Sequence, residues 1–263
     1  MSEKINILII DDEQVVINSI SKIAISEGYS VDSVLNVVSA LQKISSTEFD
    51  LIICDIMLSE MDGFQFLAEL ESKQIDTPVI MTTGYSTIEN AVKSLYTGAI
   101  EFIPKPFTVD EITSVIRRGM KYSSMMKLKK SDDDSIILVP CPAKYFRLGY
   151  SSWMNKDLDG SVLIGATDIF IKTLDQIKKI ELLNTNEVLT QATPGIKFET
   201  EDGLTHQLYS VISGVIIASN DRLLEEPELL EKDPYFDGWI YRIIPTELEY
   251  EMKLLIPCSS DRS

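Results

Sequence analysis

The sequence predicts two unlike domains: a doubly wound α/β domain built on five parallel strands, then a β-rich domain. Three observations predict this. In the first half, short aliphatic runs alternate with segments of helical periodicity. Four of those runs end in polar residues: I-N-I-L-I-I in Asp11, Asp12 and Glu13; F-D-L-I-I-C in Asp55; P-V-I-M-T in Thr83 and Gly84; I-E-F-I-P in Lys105 and Pro106. In the second half, short β-like runs separated by turn signals replace the helical pattern.

Residues 5–10 are continuous aliphatics, too short for a helix, and read as a buried strand. Residues 14–27 place Val16, Ile17, Ile20, Ile23 and Ala24 on one helical face, and Gly28 suits the helix end. A strand candidate follows at 29–34, and Val37, Val38, Leu41 and Ile44 repeat at helical spacing. Residues 51–54 form another buried strand, Asp62-Gly63 marks a turn before a helix at 64–72, and 78–82 is a strand. A helix at 87–96 ends at Gly98; a short strand at 101–103 and a long helix over 108–126 complete five βα units. Such alternation implies a parallel sheet covered on both faces. Right-handed crossovers then give a flavodoxin-like topology.

Residues 126–135 switch from basic to acidic and read as a linker whose start continues the last helix. Beyond it, 136–139, 161–165, 178–183, 195–200 and 210–218 are strand candidates of an antiparallel sandwich or barrel. Short helices are expected at 167–174, 221–224 and 227–232. The expected domains are therefore 1–125 and 136–258, with a tail at 259–263.

Composition narrows the function classes. The 263 residues suffice for two real cores, and 44% hydrophobic with 25% charged content is ordinary for globular protein. The net charge of -17 falls on both halves, and no Lys/Arg-rich helix is visible, so no DNA partner is expected. No apolar run approaches the roughly 20 residues that span a bilayer. M-S-E-K does not begin a signal peptide. A cytoplasmic protein without a membrane partner is expected. The three cysteines lack C-x-x-C spacing, which argues against a disulfide framework or a zinc site and fits a reducing cytosol. Cys54 reads as an inert core thiol. The single histidine, His206, lies beside a polar turn and is expected at the surface. No G-x-x-x-x-G-K-[ST] loop marks a nucleotide hydrolase.

In an open parallel sheet, Asp11, Asp12 and Asp55 should converge at the edge where such folds place their chemistry. Two carboxylates about 4 Å apart repel by roughly 4 kcal/mol at an effective dielectric near 20. A proton, a lysine or a divalent cation must compensate. Mg²⁺ suits a shallow carboxylate site because it prefers hard oxygens and keeps waters; Lys105 offers a direct partner. Such a site favours phosphoryl transfer, with a carboxylate as nucleophile. A metal and an amine can neutralise the phosphoryl oxygens while a hydroxyl donates to one of them. Asp55 stands alone at its strand end and is the expected nucleophile, with Asp11 and Asp12 as expected metal ligands. Each strand end alone could be a plain cap or turn; four in this order, each behind its own strand, disfavour that reading.

I-L-I-I-D-D-E, L-I-I-C-D-I-M-L-S-E-M-D-G, V-I-M-T-T-G-Y and A-I-E-F-I-P-K-P-F resemble the receiver domain of two-component response regulators, over residues 4 to about 122. The resemblance implies that Asp55 accepts a phosphoryl group from a phosphohistidine on a sensor histidine kinase. It implies Mg²⁺ held by Asp11, Asp12, Asp55 and the backbone carbonyl of Met57. It assigns Thr83 and Lys105 to the phosphate, Thr83 and Phe102 to the switch, and a cis bond to Lys105–Pro106. Ser59 stands where the family usually has proline. Tyr85, two residues after Thr83, flanks the site, and its bulk can screen attacking water. A homodimer through the receiver is left open.

G-A-T-D, L-Y-S-V-I-S-G and D-P-Y-F-D-G-W-I, within about residues 136–256, are similar to the H protein of the glycine cleavage system. That family is a barrel–sandwich hybrid carrying lipoic acid on a hairpin lysine. Counting back from L-Y-S, the lysine position is Gly203, and Glu201-Asp202-Gly203 suits a hairpin turn. Lys197, six residues earlier, is expected within the strand. No covalent lipoate is expected. The whole chain reads as a phospho-acceptor signalling protein, with no enzymatic activity beyond its own aspartyl phosphorylation and dephosphorylation. Its second domain is expected to bind a protein that the sequence does not name. A receiver-regulated carrier of lipoate or one-carbon metabolism is the competing expectation, opposed by the missing amine.

Overall fold

The computed structural model describes residues 6–85, 87–131 and 136–262. The chain divides into two compact units, Met1–Asn90 with Thr97–Ile136 and Ala91–Tyr96 with Ile137–Ser263.

The N-terminal sheet and its helices alternate along the chain: β1 (Asn6–Ile10), α1 (Gln14–Ser26), β2 (Ser30–Val34), α2 (Val37–Ile44), β3 (Leu51–Asp55), α3 (Gly63–Ser72), β4 (Val79–Thr83), α4 (Ile88–Tyr96), β5 (Glu101–Pro104) and α5 (Val109–Lys130). All strands are parallel in the order β2-β1-β3-β4-β5, the expected doubly wound topology. The chain leaves β1 towards β2 and returns to β3 on the other side, so the switch point lies where β1 and β3 end. Every residue of β3 and β4 is buried, which is why these strands read as unbroken aliphatic runs. Ile7, Ile9, Leu51, Ile53 and Ile80 meet Ile17 and Ile20 of α1 and Ile112 and Ile116 of α5 in one core. The helix starts follow capping chemistry. Asn36 accepts the Ser39 N–H, and Asp62/Gln65 and Thr108/Glu111 form capping boxes. Glycine at 63 is required by close approach: a Cβ there would lie 2.7 Å from the Asp55 carbonyl oxygen and 2.6 Å from Met81 Cε. The last helix continues to Lys130, through the start of the expected linker. Linker residues 132–135 lie outside the described residues.

The second unit contains β6 (Phe146–Leu148), β7 (Ser152–Lys156), β8 (Val162–Ala166), α6 (Asp168–Thr173), β9 (Ile177–Leu182), β10 (Val188–Leu189), β11 (Pro194–Thr200), β12 (Thr205–Tyr209), β13 (Gly214–Ser219), α7 (Arg222–Glu225), α8 (Leu229–Lys232), β14 (Trp239–Pro245), α9 (Leu248–Glu251) and β15 (Ile256–Pro257), then a 3-10 turn over Cys258–Arg262. A seven-stranded sheet, β10-β13-β14-β8-β7-β6-β15, accompanies a three-stranded sheet, β12-β11-β9. This is the expected barrel–sandwich architecture. Trp153 is fully buried, and its Nε1–H donates to the carbonyls of Ala166 and Pro234 at 2.8 and 3.0 Å.

Four expectations are corrected. Residues 136–139 are not a strand: Ile137 is largely exposed, and the Val139 N–H donates to the Asp168 carboxylate at 2.8 Å instead of a neighbouring strand. Residues 210–213 form a loop, and β13 starts only at Gly214. His206 is buried, not at the surface, because β12 alternates and its inward positions are His206 and Leu208. Cys141 and Cys258 form a disulfide across a separation of 117 residues, a pairing that local C-x-x-C spacing rules do not register.

Candidate functional site

The strand ends place the candidate residues on one edge of the parallel sheet. Asp11 directly follows β1, Asp55 closes β3 and Thr83 closes β4. The register pairs Asp55 with Thr82, so Thr83 lies one residue further along the neighbouring strand. Lys105 follows β5, and its N–H donates to the Thr83 carbonyl at 2.8 Å, fixing where the side chain departs. The Lys105–Pro106 bond is cis.

Three side chains come together. The Lys105 ammonium donates to Asp11 Oδ2 at 2.7 Å and lies 2.8 Å from Asp55 Oδ1. Both carboxylates are almost wholly buried. Asp11 Oδ1 accepts the Glu13 N–H at 2.9 Å, and Asp55 Oδ2 accepts the Met57 N–H at 2.8 Å. Asp55 Oδ1 has the ion pair but no aligned hydrogen bond, so it keeps acceptor capacity facing the lysine. The Thr83 hydroxyl is buried and accepts the Tyr85 N–H at 3.1 Å. Tyr85 and Met57 are exposed at the rim, Asp12 is exposed, and Phe102 is buried.

Burial pushes the Asp11 carboxyl above its ordinary value, although the bonds from Lys105 and Glu13 pull it down. Burial alone would lower Lys105, but the close contacts and charges of Asp11 and Asp55 hold its ammonium above the ordinary value. The lysine thus stays charged, while Asp11 bears the cost of leaving water. Glu13 carried no expected role, yet its carboxylate lies 3.8 Å from Lys105 Nζ. Its place directly after the acidic pair was the signal available.

A hard divalent cation fits the donor chemistry, because Asp11, Asp12, Asp55 and the Met57 carbonyl offer only oxygen. Among the described residues no three His, Cys, Asp or Glu side chains already gather at metal-ligating spacing. Exposed Asp12 is the carboxylate that would complete the set.

In the second unit, β11 and β12 form the expected hairpin. The Gly203 N–H donates to the Thr200 carbonyl at 3.0 Å, and Gly203 has φ +80°. Thr200 Oγ1 lies 2.5 Å from Asp202 Oδ1 and 3.1 Å from His206 Nε2, which fixes the turn from its base. Lys197 pairs with Gln207 within the ladder, away from the tip.

Comparison with known proteins agrees with both halves. Residues 7–117 match the response regulator receiver domain family, and residues 144–260 match the glycine cleavage H-protein family. The first segment is therefore a receiver domain and the second is H-protein-like. The receiver is 36% identical over 121 residues to the regulatory protein AtoC of Escherichia coli, covering 46% of this chain and 26% of AtoC. The transcriptional regulatory protein ZraR of Klebsiella oxytoca is 27% identical over 166 residues, covering 63% of this chain and 36% of that protein. The chain thus spans about a quarter to a third of these curated relatives. Among solved structures, a receiver domain protein from Methanospirillum hungatei is 31% identical, with TM-score 0.45, covering 47% of this chain and 99% of that one. Residues 7–117 thus carry the receiver family's fold and motifs. Among the described residues, no helix is long and apolar enough to cross a membrane.

Proposed function

We propose that this response regulator takes a phosphoryl group on Asp55 from a sensor histidine kinase and reads it out through protein contacts of its H-protein-like domain. The observation that carries the reading is Asp55 itself. It is buried at the end of β3, with one oxygen held by the Met57 N–H and the other facing Lys105. The bonded oxygen fixes the carboxylate plane, and Oδ1 is the atom presented for attack on phosphorus. The new bond joins Oδ1 to phosphorus as the bond from phosphorus to the donor imidazole breaks. Lys105, already charged, can turn from the carboxylates to a phosphoryl oxygen, and the Thr83 hydroxyl can rotate to donate to another. Asp11, Asp12, Asp55 and the Met57 carbonyl would hold Mg²⁺, which supplies charge neutralisation when bound. Inward burial of Phe102 beside this edge makes it a candidate to report a movement of Thr83.

The output reading rests on the hairpin: Gly203 occupies the tip, and the hairpin's own amine, Lys197, is in the ladder. No enzymatic step of the second domain is invoked.

Incubation with a small phosphodonor and Mg²⁺ tests the site. Intact mass should show one phosphoryl adduct in wild type and none in Asp55→Asn; an undiminished adduct in the variant overturns the assignment. A pull-down with and without a phosphoryl mimic tests the output. Identical partner recovery in both states removes the coupling.

A further inference from the structure

Cys141 and Cys258 lie near opposite ends of the second unit, yet they are bonded, with Cα atoms 5.6 Å apart. What the bond ties down is slight. Cys258 follows β15, a strand of two residues that pairs with β6 through Ile256 with Arg147 and Pro257 with Phe146. The Cys258 N–H adds one bond to the Tyr145 carbonyl at 3.0 Å. Beneath the sulfurs, Tyr145, Trp153 and Tyr235 form a buried aromatic cluster. The cysteines are 6% and 0% exposed, and the residues flanking them in sequence, Pro140, Ala143, Lys144, Ser259 and Ser260, are all exposed. A two-residue strand at the edge of its sheet opens locally at little free-energy cost, so a small thiolate can reach the sulfurs without unfolding the sheet. Cys54 does not compete, being wholly buried within β3.

We propose that Cys141 and Cys258 are a reversible thiol–disulfide site whose substrate is a low-molecular-weight thiol and its disulfide, and whose state sets how firmly the last strand is held. In closure, the thiolate of one cysteine attacks an external disulfide RSSR, forming a mixed disulfide and releasing RS⁻. The thiolate of the second cysteine attacks the protein sulfur of that mixed disulfide, forming the Cys141–Cys258 bond and releasing a second RS⁻. Two protein thiols are oxidised and one RSSR is reduced; the two thiol protons end on two RSH. Opening is the reverse, consuming two RSH and returning one RSSR. The open form leaves β15 with its short ladder alone, so the segment after α9 loosens while the rest of the sheet stays paired.

The test equilibrates the full chain in a series of reduced-to-oxidised glutathione ratios, quenches in acid, denatures and alkylates. Intact mass then counts free thiols, while hydrogen exchange follows β6 and β15. The count should rise from one to all three cysteines as the series becomes reducing, and exchange at β15 should rise about tenfold with it. Cys141→Ser and Cys258→Ser should each fix exchange at the fast level, and Cys54→Ala should keep the response. Three free thiols at every ratio, or one at every ratio, overturns the proposal. So does a changing thiol count without a change in exchange, a measurement made on wild type that needs no variant to fold.

Discussion

Replacing Lys105 with methionine removes the charge that lets Asp11 and Asp55 share one edge, and the structure sets the size of the effect. The ammonium is 2.7 Å from Asp11 Oδ2 and 2.8 Å from Asp55 Oδ1, with side-chain exposures of 12%, 1% and 4%. At an effective dielectric near 20 each contact is worth roughly 6 kcal/mol before desolvation. Desolvation consumes most of this, and removing one partner of a buried pair costs about 3–5 kcal/mol. The low end applies because Asp12 and Met57 leave the rim open to water. About 3 kcal/mol lowers the melting temperature of a unit this size by roughly 10 °C. Melting followed by the helical circular dichroism signal, in EDTA at neutral pH, measures it. Asp11 is raised above its ordinary 3.8 mainly by burial, so the deficit should shrink as acid protonates it. Mg²⁺ should also shrink it. Lys105 is raised above 10.5 in the fold. Its stabilisation is therefore complete below 10.5 and lost as pH climbs through the higher folded value, an alkaline limb that Lys105→Met should lack. Adding Asp11→Asn should recover part of the loss, with a coupling of about 1.5 kcal/mol. A variant that melts within about 2 °C of wild type in EDTA, or a double variant whose losses simply add, refutes the reasoning.

Gly63→Ala should cost about 1–3 kcal/mol by overpacking and slow phosphorylation, because its Cβ meets the Asp55 carbonyl at 2.7 Å; chemical denaturation and adduct formation rate measure the two effects. Tyr85→Ala opens the exposed rim beside Thr83 and should shorten the phosphoryl half-life severalfold; an unchanged half-life removes the screening role. Asp168→Ala strands the Val139 N–H and Lys172, bonded to it at 2.8 and 2.7 Å, and should cost about 2–3 kcal/mol, with amide exchange at Val139 rising selectively.

The first unit was legible because a parallel sheet buried on both faces writes itself as aliphatic runs, and its chemistry begins where each run stops. Asp11, Asp55, Thr83 and Lys105 could be placed on one edge from that alone. What could not be read was which carboxylate the lysine meets. That depends on the Lys105 N–H bond to the Thr83 carbonyl, and the answer is both, with Glu13 nearby. The second unit was harder because β6 and β7 are short and mixed in polarity, and because the aliphatic run at 136–139 spends its backbone on Asp168 instead of a ladder. The hairpin tip was an exception, since turn chemistry is local. Its geometry sharpens what the missing amine means. A lysine at 203 in the present turn would sit at φ +80°, in the left-handed region that costs a side-chain-bearing residue about 1–2 kcal/mol. Thr200, Asp202 and His206 hold that turn from below. Restoring a carrier would therefore carry that strain as well as change one residue. The absent amine and the shape of the hairpin fit the proposed contact surface better than a swinging arm.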